Sequence, residues 1–172
     1  MSTPLAILME TGVPLLLVGG TAVQIYGFSR YTKDFDCVVA SDRESDLASA
    51  LRGAGFDEFE RNQLVVRYRH SLHADWIVDT LLVTSETFGK LWSQRREVRL
   101  GEIALTVAAP LHVASMKLHA MKQNPARSLP DILDVVELLR RDRGNWTLDE
   151  VRNACERYGP PGVFDMLRPH LE

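Results

Sequence analysis

The 172-residue chain is poor in cysteine: Cys37 and Cys155 are its only two, far apart and in no paired spacing. That excludes a zinc knuckle and a disulfide framework as organising devices, and both residues are expected as free thiols. An excess of one charge is also missing. Twenty Lys and Arg against 23 Asp and Glu leave a net charge of -3, so no global field favours non-specific nucleic-acid binding. The longest apolar stretches, 13–20 and 102–111, are far shorter than a bilayer-spanning helix requires. The opening Met-Ser-Thr-Pro has no basic region followed by a long apolar run, so the expectation is a cytoplasmic protein with no membrane partner. Low-complexity tracts and repeats of fixed period are absent. The histidines, His70, His73, His112, His119 and His170, show no metal-ligand spacing.

What remains is ordinary globular material, 45% hydrophobic and 25% charged, long enough for one compact domain or a core with a helical appendage. Residues 4–10 read as a short helix stopped at Gly12, and 15–18 as a buried strand running straight into Gly19-Gly20. A helix is expected over 21–28 with Thr21 as N-cap, then a strand over 34–40 and an amphipathic helix over 42–55. Strands follow at 64–68 and 74–83, joined by Ser71-Leu72-His73 as an antiparallel pair. After a helix at 86–93, strands at 97–100 and 103–107 flank Gly101 as a hairpin turn. From Pro110 the chain turns helical, at 110–122, 129–141, 147–158 and after Pro161. The expected division is 1–108 as a strand-rich core and 109–172 as a helical part.

Chemistry concentrates early in the chain. A buried strand delivering two glycines to a helix start presents backbone N–H groups to an anion, although a tight turn is the plain alternative. Asp34 and Asp36 are two apart on a strand, so both carboxylates leave the same face. Like charges so placed repel unless a cation lies between them, and paired oxygens of this kind suit Mg2+ or Mn2+ bridging phosphates. Two acids facing solvent on an edge strand would need no such cation. Arg30 and Thr32 continue the same alternation. A third carboxylate on a neighbouring strand would come from Asp79, in the apolar setting Ile77-Val78-Asp79-Thr80-Leu81-Leu82, with Asp75 as the second choice. Arg67 and Arg69 form a basic pair on one strand face, suited to acceptor phosphates or simply solvated.

The run Val18-Gly19-Gly20-Thr21-Ala22 through Gly27, Arg30, Thr32, Asp34 and Asp36 resembles the signature of minimal nucleotidyltransferases of the DNA polymerase beta superfamily, similar to AbiE-type toxins. Val78-Asp79-Thr80-Leu81-Leu82 resembles their third-carboxylate strand. Lys117 resembles their helical lysine, and Arg127 with Asp131 and Asp134 their closing Arg…Asp-x-x-Asp helix. The match spans about residues 15–139. Taken alone, Lys117 reads as a surface lysine, and Ser128-x-x-Asp131 as a capping box that only starts a helix.

The resemblance implies an α/β (α+β) nucleotidyltransferase fold with a small mixed sheet and C-terminal helices. It implies metal-dependent transfer from a nucleoside triphosphate to an acceptor hydroxyl. Asp34, Asp36 and Asp79 would be the catalytic and metal-holding acids. Gly19, Gly20, Thr21, Arg30, Thr32, Lys117, Arg127 and Asp131 would bind the nucleotide, ATP among the candidates. The implied acceptor is RNA, such as a tRNA 3' end, in a toxin–antitoxin setting with an antitoxin partner. A small cationic acceptor of the aminoglycoside type, or nucleotide binding without turnover, are the alternatives.

Overall fold

The computed structural model describes residues 3–29 and 31–171, with the backbone alone for Arg127. Two compact units emerge: residues 3–22 with 31–108, and residues 23–29 with 109–171.

The first unit opens with α1 (Pro4–Glu10), which Thr3 caps by accepting from the Ala6 N–H. Seven strands follow: β1 (Leu16–Leu17), β2 (Asp34–Ala40), β3 (Phe56–Arg61), β4 (Val65–His70), β5 (Ile77–Val83), β6 (Arg96–Leu100) and β7 (Ile103–Val107). They form one sheet in the order β3-β4-β5-β2-β1-β7-β6. β2 and β5 run parallel, as do β1 and β7, while the other neighbours are antiparallel. Gly101 turns the β6–β7 hairpin with φ +62°, a region that costs glycine nothing.

One face of the sheet is dry. Cys37, Thr80 and Val66 lie opposite one another on β2, β5 and β4 and are fully buried, with Cys37 Sγ 3.6 Å from Thr80 Oγ1. Burial pushes the Cys37 thiol up to about 12. Within this unit, α3 (Glu44–Gly53) buries Leu47 and Leu51, and α4 (Ser85–Ser93) buries Phe88 and Leu91. Removing two such leucines from water is worth roughly 3–6 kcal/mol before entropy is counted. Thr84 caps α4 by accepting from Thr87 N–H.

The second unit is helical: α5 (Pro110–Gln123), α6 (Ser128–Arg141), α7 (Leu148–Tyr158) and α8 (Val163–Leu171). Leu118, Met121, Leu138, Leu139, Val151 and Leu167 form its core. Thr147 and Glu150 close a capping box on α7. No helix of the described residues is long and apolar enough to cross a membrane.

Three expectations need correction. The helix after the glycines, α2, spans Gly19–Ile25 rather than 21–28. Thr21 therefore lies inside it and does not cap it. The strand β3 was not expected, because Asp57, Glu58, Glu60 and Arg61 have low strand propensity. It forms as an edge, held by pairing to β4 with a bulge between Glu58 and Glu60. β5 begins at Ile77, so Asp75 sits in the preceding turn, exposed, and shares no strand face with Asp79.

Candidate active site

The sheet's other face carries the acids. Residues opposite one another across neighbouring strands share a face, and the register aligns Asp36 of β2 with Asp79 of β5, Arg67 of β4 and Glu60 of β3. The next row holds Asp34, Ile77, Arg69 and Asp57. Asp34 and Asp36, two apart on β2, thus meet Asp79 on a single surface.

The glycine turn is shaped around Asp36. Gly19 has φ +58°, and a Cβ built there would overlap the Asp36 carboxylate and lie 2.7 Å from its Cβ. No side chain fits. The Gly20 N–H donates to Asp36 Oδ2 at 3.1 Å, so this amide is already directed at an acid. A Cβ on Gly20 would fall 2.6 Å from Thr32 Oγ1. The buried Thr21 hydroxyl donates to Asp34 O at 3.3 Å and accepts from Asp36 N–H at 3.4 Å. Thr32 Oγ1 also donates to Asp34 O, at 3.3 Å. Glycines and threonines together fix the backbone of β2 where its two carboxylates emerge, which is a positioning role and differs from the expected N-cap.

Arg67 is the residue that local sequence patterns did not assign to this site. Its Nε donates to Asp79 Oδ1 and its Nη2 to Oδ2, both at 2.9 Å. Nη1 donates to Glu60 Oε2 at 3.1 Å, and Nη2 lies 3.9 Å from Asp34 Oδ2. This two-bond fork is the strong geometry of an arginine–carboxylate pair. Asp79 first and Glu60 second hold the guanidinium proton more tightly than usual. The signal that would have found Arg67 is cross-strand opposition to Asp79. Arg69, on the same face, lies over the Phe59 ring at 4.2 Å.

Even with Arg67 near, the Asp34 carboxyl is raised above its ordinary range, by burial first and by the Asp79 charge second, against the pull of Arg67 and Lys33. The surface retains affinity for positive charge. Three carboxylates with no sulfur or imidazole among them are the donor set of a hard divalent cation, so the residues fit Mg2+ or Mn2+ in chemistry. Their side chains are not gathered: among the described residues no three His, Cys, Asp or Glu stand close enough to hold a metal together. Arg67 occupies both oxygens of Asp79 instead.

Lys117 and Asp131 belong to the helical unit. Lys117 is only 5% exposed, and its Nζ lies 3.1 Å from Asp131 Oδ1 and 2.6 Å from Asp134 Oδ2, both acids being 2% exposed. Asp131 and Asp134, one helical turn apart on α6, thus clamp a lysine of α5. Lys117 is not a surface residue, and Asp131 contributes a tertiary ion pair as well as its place at the start of α6. Arg30 and the Arg127 side chain lie outside the described residues.

Family models and curated sequences return no significant match to the chain. Solved structures do. The crystal structure of ANT(2")-Ia in complex with adenylyl-2"-tobramycin superposes with TM-score 0.70 at 14% identity, covering 91% of this chain and 95% of that one. The lincosamide antibiotic adenylyltransferase LnuA, with lincomycin bound, gives 0.55 at 13% identity over 75% of this chain and 87% of its own. An antigenic nucleotidyltransferase-like protein from Paracoccidioides brasiliensis gives 0.55 at 14%, with 87% and 81% covered. Identities this low speak for fold alone, and the sheet that brings Asp34, Asp36 and Asp79 onto one face is the nucleotidyltransferase fold.

Proposed function

We propose that the chain transfers a nucleotidyl group from a nucleoside triphosphate to an acceptor hydroxyl, forming the acceptor's bond to the α-phosphorus and releasing pyrophosphate. The observation that carries this is the register pair Asp36–Asp79 on adjacent parallel strands, with Asp34 on the same face and a glycine turn packed on Asp36. Asp34 and Asp36 would hold the cation that neutralises the triphosphate, and Asp79, on the neighbouring strand, would take the acceptor's proton. A divalent cation bound by these acids would supply polarisation of the phosphate and charge neutralisation. Gly20 and Thr21 keep Asp36 in place, and Thr32 braces the start of β2.

The acceptor is a small cationic molecule bearing a hydroxyl. Asp34, Asp36, Asp57, Glu60 and Asp79 face the two arginines Arg67 and Arg69 on this surface, an acidic balance that attracts cations. The similarity to ANT(2")-Ia, almost end to end, is consistent with an acceptor of that kind. An RNA acceptor, with the toxin–antitoxin setting it implies, would need basic surface, and Arg67 is engaged by Asp79 and Glu60. The experiment is incubation with Mg2+ and each labelled nucleoside triphosphate, offering either total RNA or a panel of aminoglycosides. Label on an aminoglycoside supports the proposal, label on RNA moves the acceptor to RNA, and no label on either refutes transfer to both classes.

A further inference from the structure

We propose that Arg67 is a built-in occupant of the cation position at Asp79, which a divalent ion displaces, and that Glu60 is the carboxylate that keeps it once displaced. This rests on Asp79 being a cation ligand, as proposed above.

Three observations support it. First, the guanidinium spends its Nε and Nη2 on both oxygens of Asp79, at 2.9 Å each. A carboxylate so engaged has few lone pairs left for a metal, so arginine and cation compete for the same atoms. Second, Nη1 already holds Glu60 Oε2 at 3.1 Å. Arg67 can therefore leave Asp79 without losing every charged partner. Glu60 is the more exposed of the two acids, 55% against 18%, and an ion pair there is weaker because water screens it. The resting preference for Asp79 and the reserve contact at Glu60 follow from that difference. Third, the four residues form one straight row across four adjacent strands, Asp36–Asp79–Arg67–Glu60. The shift needs only side-chain rotation on a fixed sheet.

The consequence is that free divalent ions bind this site weakly, because each must first break a forked ion pair. Without Arg67 the affinity rises. Without Glu60 it falls, because Arg67 then has Asp79 as its remaining strong partner in the row.

The test is Mn2+ binding to the full chain without nucleotide, followed by electron paramagnetic resonance of free Mn2+ and by calorimetry. The variants are Arg67→Ala, Arg67→Lys, Glu60→Gln and Arg69→Ala. Arg67→Ala should bind about tenfold more tightly than wild type, a difference of about 1.4 kcal/mol. Arg67→Lys keeps the charge but loses the fork, and should fall between the two. Glu60→Gln should bind more weakly. Arg69→Ala removes the same charge from the same face, beside Phe59, and should change affinity by less than about twofold, as expected of an exposed charge. Equal tightening in Arg67→Ala and Arg69→Ala would show a general field effect and overturn the proposal. Tightening in Glu60→Gln would overturn the role of Glu60. If Arg67→Ala does not fold, the ranking of Arg67→Lys, wild type and Glu60→Gln still decides. Absence of Mn2+ binding in wild type and every variant at millimolar ion would remove Asp79 as a cation ligand, a failure distinct from binding that is merely insensitive to Arg67.

Discussion

Replacing Gly19 with alanine should damage this protein more than its small size suggests. Gly19 sits at φ +58°, where a side chain costs roughly 1–2 kcal/mol. The new Cβ also overlaps the Asp36 carboxylate. Asp36 must swing away and release the Gly20 N–H it accepts at 3.1 Å, a charge-assisted bond worth about 1.5–3 kcal/mol. Lower entropy of the unfolded chain returns about 0.4–1 kcal/mol. The net loss is therefore about 2–4 kcal/mol, or roughly 5–15 °C in Tm for a chain of this length.

Two other glycines calibrate that figure. Gly20→Ala has no positive φ, but its Cβ would fall 2.6 Å from Thr32 Oγ1 and 2.9 Å from Thr32 Cβ, which moves only with its backbone, so overpacking should cost about 1–3 kcal/mol. Gly89, inside α4 with nothing within 4 Å of a built Cβ, should stabilise by about 0.5–1 kcal/mol when changed to alanine. Urea melts in EDTA, with midpoint and slope both fitted, measure all three. A double-mutant cycle isolates the carboxylate's share. In an Asp36→Ala background the carboxylate overlap and the Gly20 N–H bond are gone, so the Gly19→Ala cost should fall, while the Cβ that remains 2.7 Å away keeps it above the backbone part of about 1–2 kcal/mol. Gly19→Ala within about 0.5 kcal/mol of wild type, the range of an unremarkable surface change, would refute a turn shaped around Asp36.

Asp34→Asn should stabilise the metal-free protein at neutral pH while abolishing nucleotidyl transfer. The Asp34 carboxyl is raised by burial and by Asp79, so its contribution to stability is present below its unfolded value and lost as pH rises through the folded one. The gain from asparagine should therefore vanish below about pH 4, and a pH series of thermal melts that shows equal gain at all pH would contradict it. Lys117→Ala should cost about 3–5 kcal/mol by urea denaturation, because it takes a cation from two buried carboxylates. A loss under about 1 kcal/mol, typical of an exposed pair, would mean the lysine is dispensable to the helical unit. Both thiols should resist a disulfide reagent at pH 8 until the chain unfolds, since burial pushes Cys37 up to about 12 and Cys155 up to about 11. Rapid labelling of either in the native protein would show that its cover opens.

The sequence by itself determined the periodic features. β2 runs Asp34–Ala40, the bounds its pattern predicts, and a two-residue period puts Asp34 and Asp36 on one face whatever else folds nearby. The β6–β7 hairpin at Gly101 and the helix expected at 147–158 were equally legible, because a glycine turn acts over a few residues and helical periodicity shows within one segment. The tertiary structure alone decided what lies opposite what. Asp79 pairs in register with Asp36 because register between strands distant in sequence is set by packing of the shared dry face and leaves no local periodic trace, and Arg67 closes on Asp79 through the register of the neighbouring β4–β5 pair. The polar β3 is a strand only because β4 offers its edge, which carries Glu60 to Arg67. Lys117, exposed on propensity alone, is buried because Asp131 and Asp134 on another helix supply the charge that makes its burial tolerable.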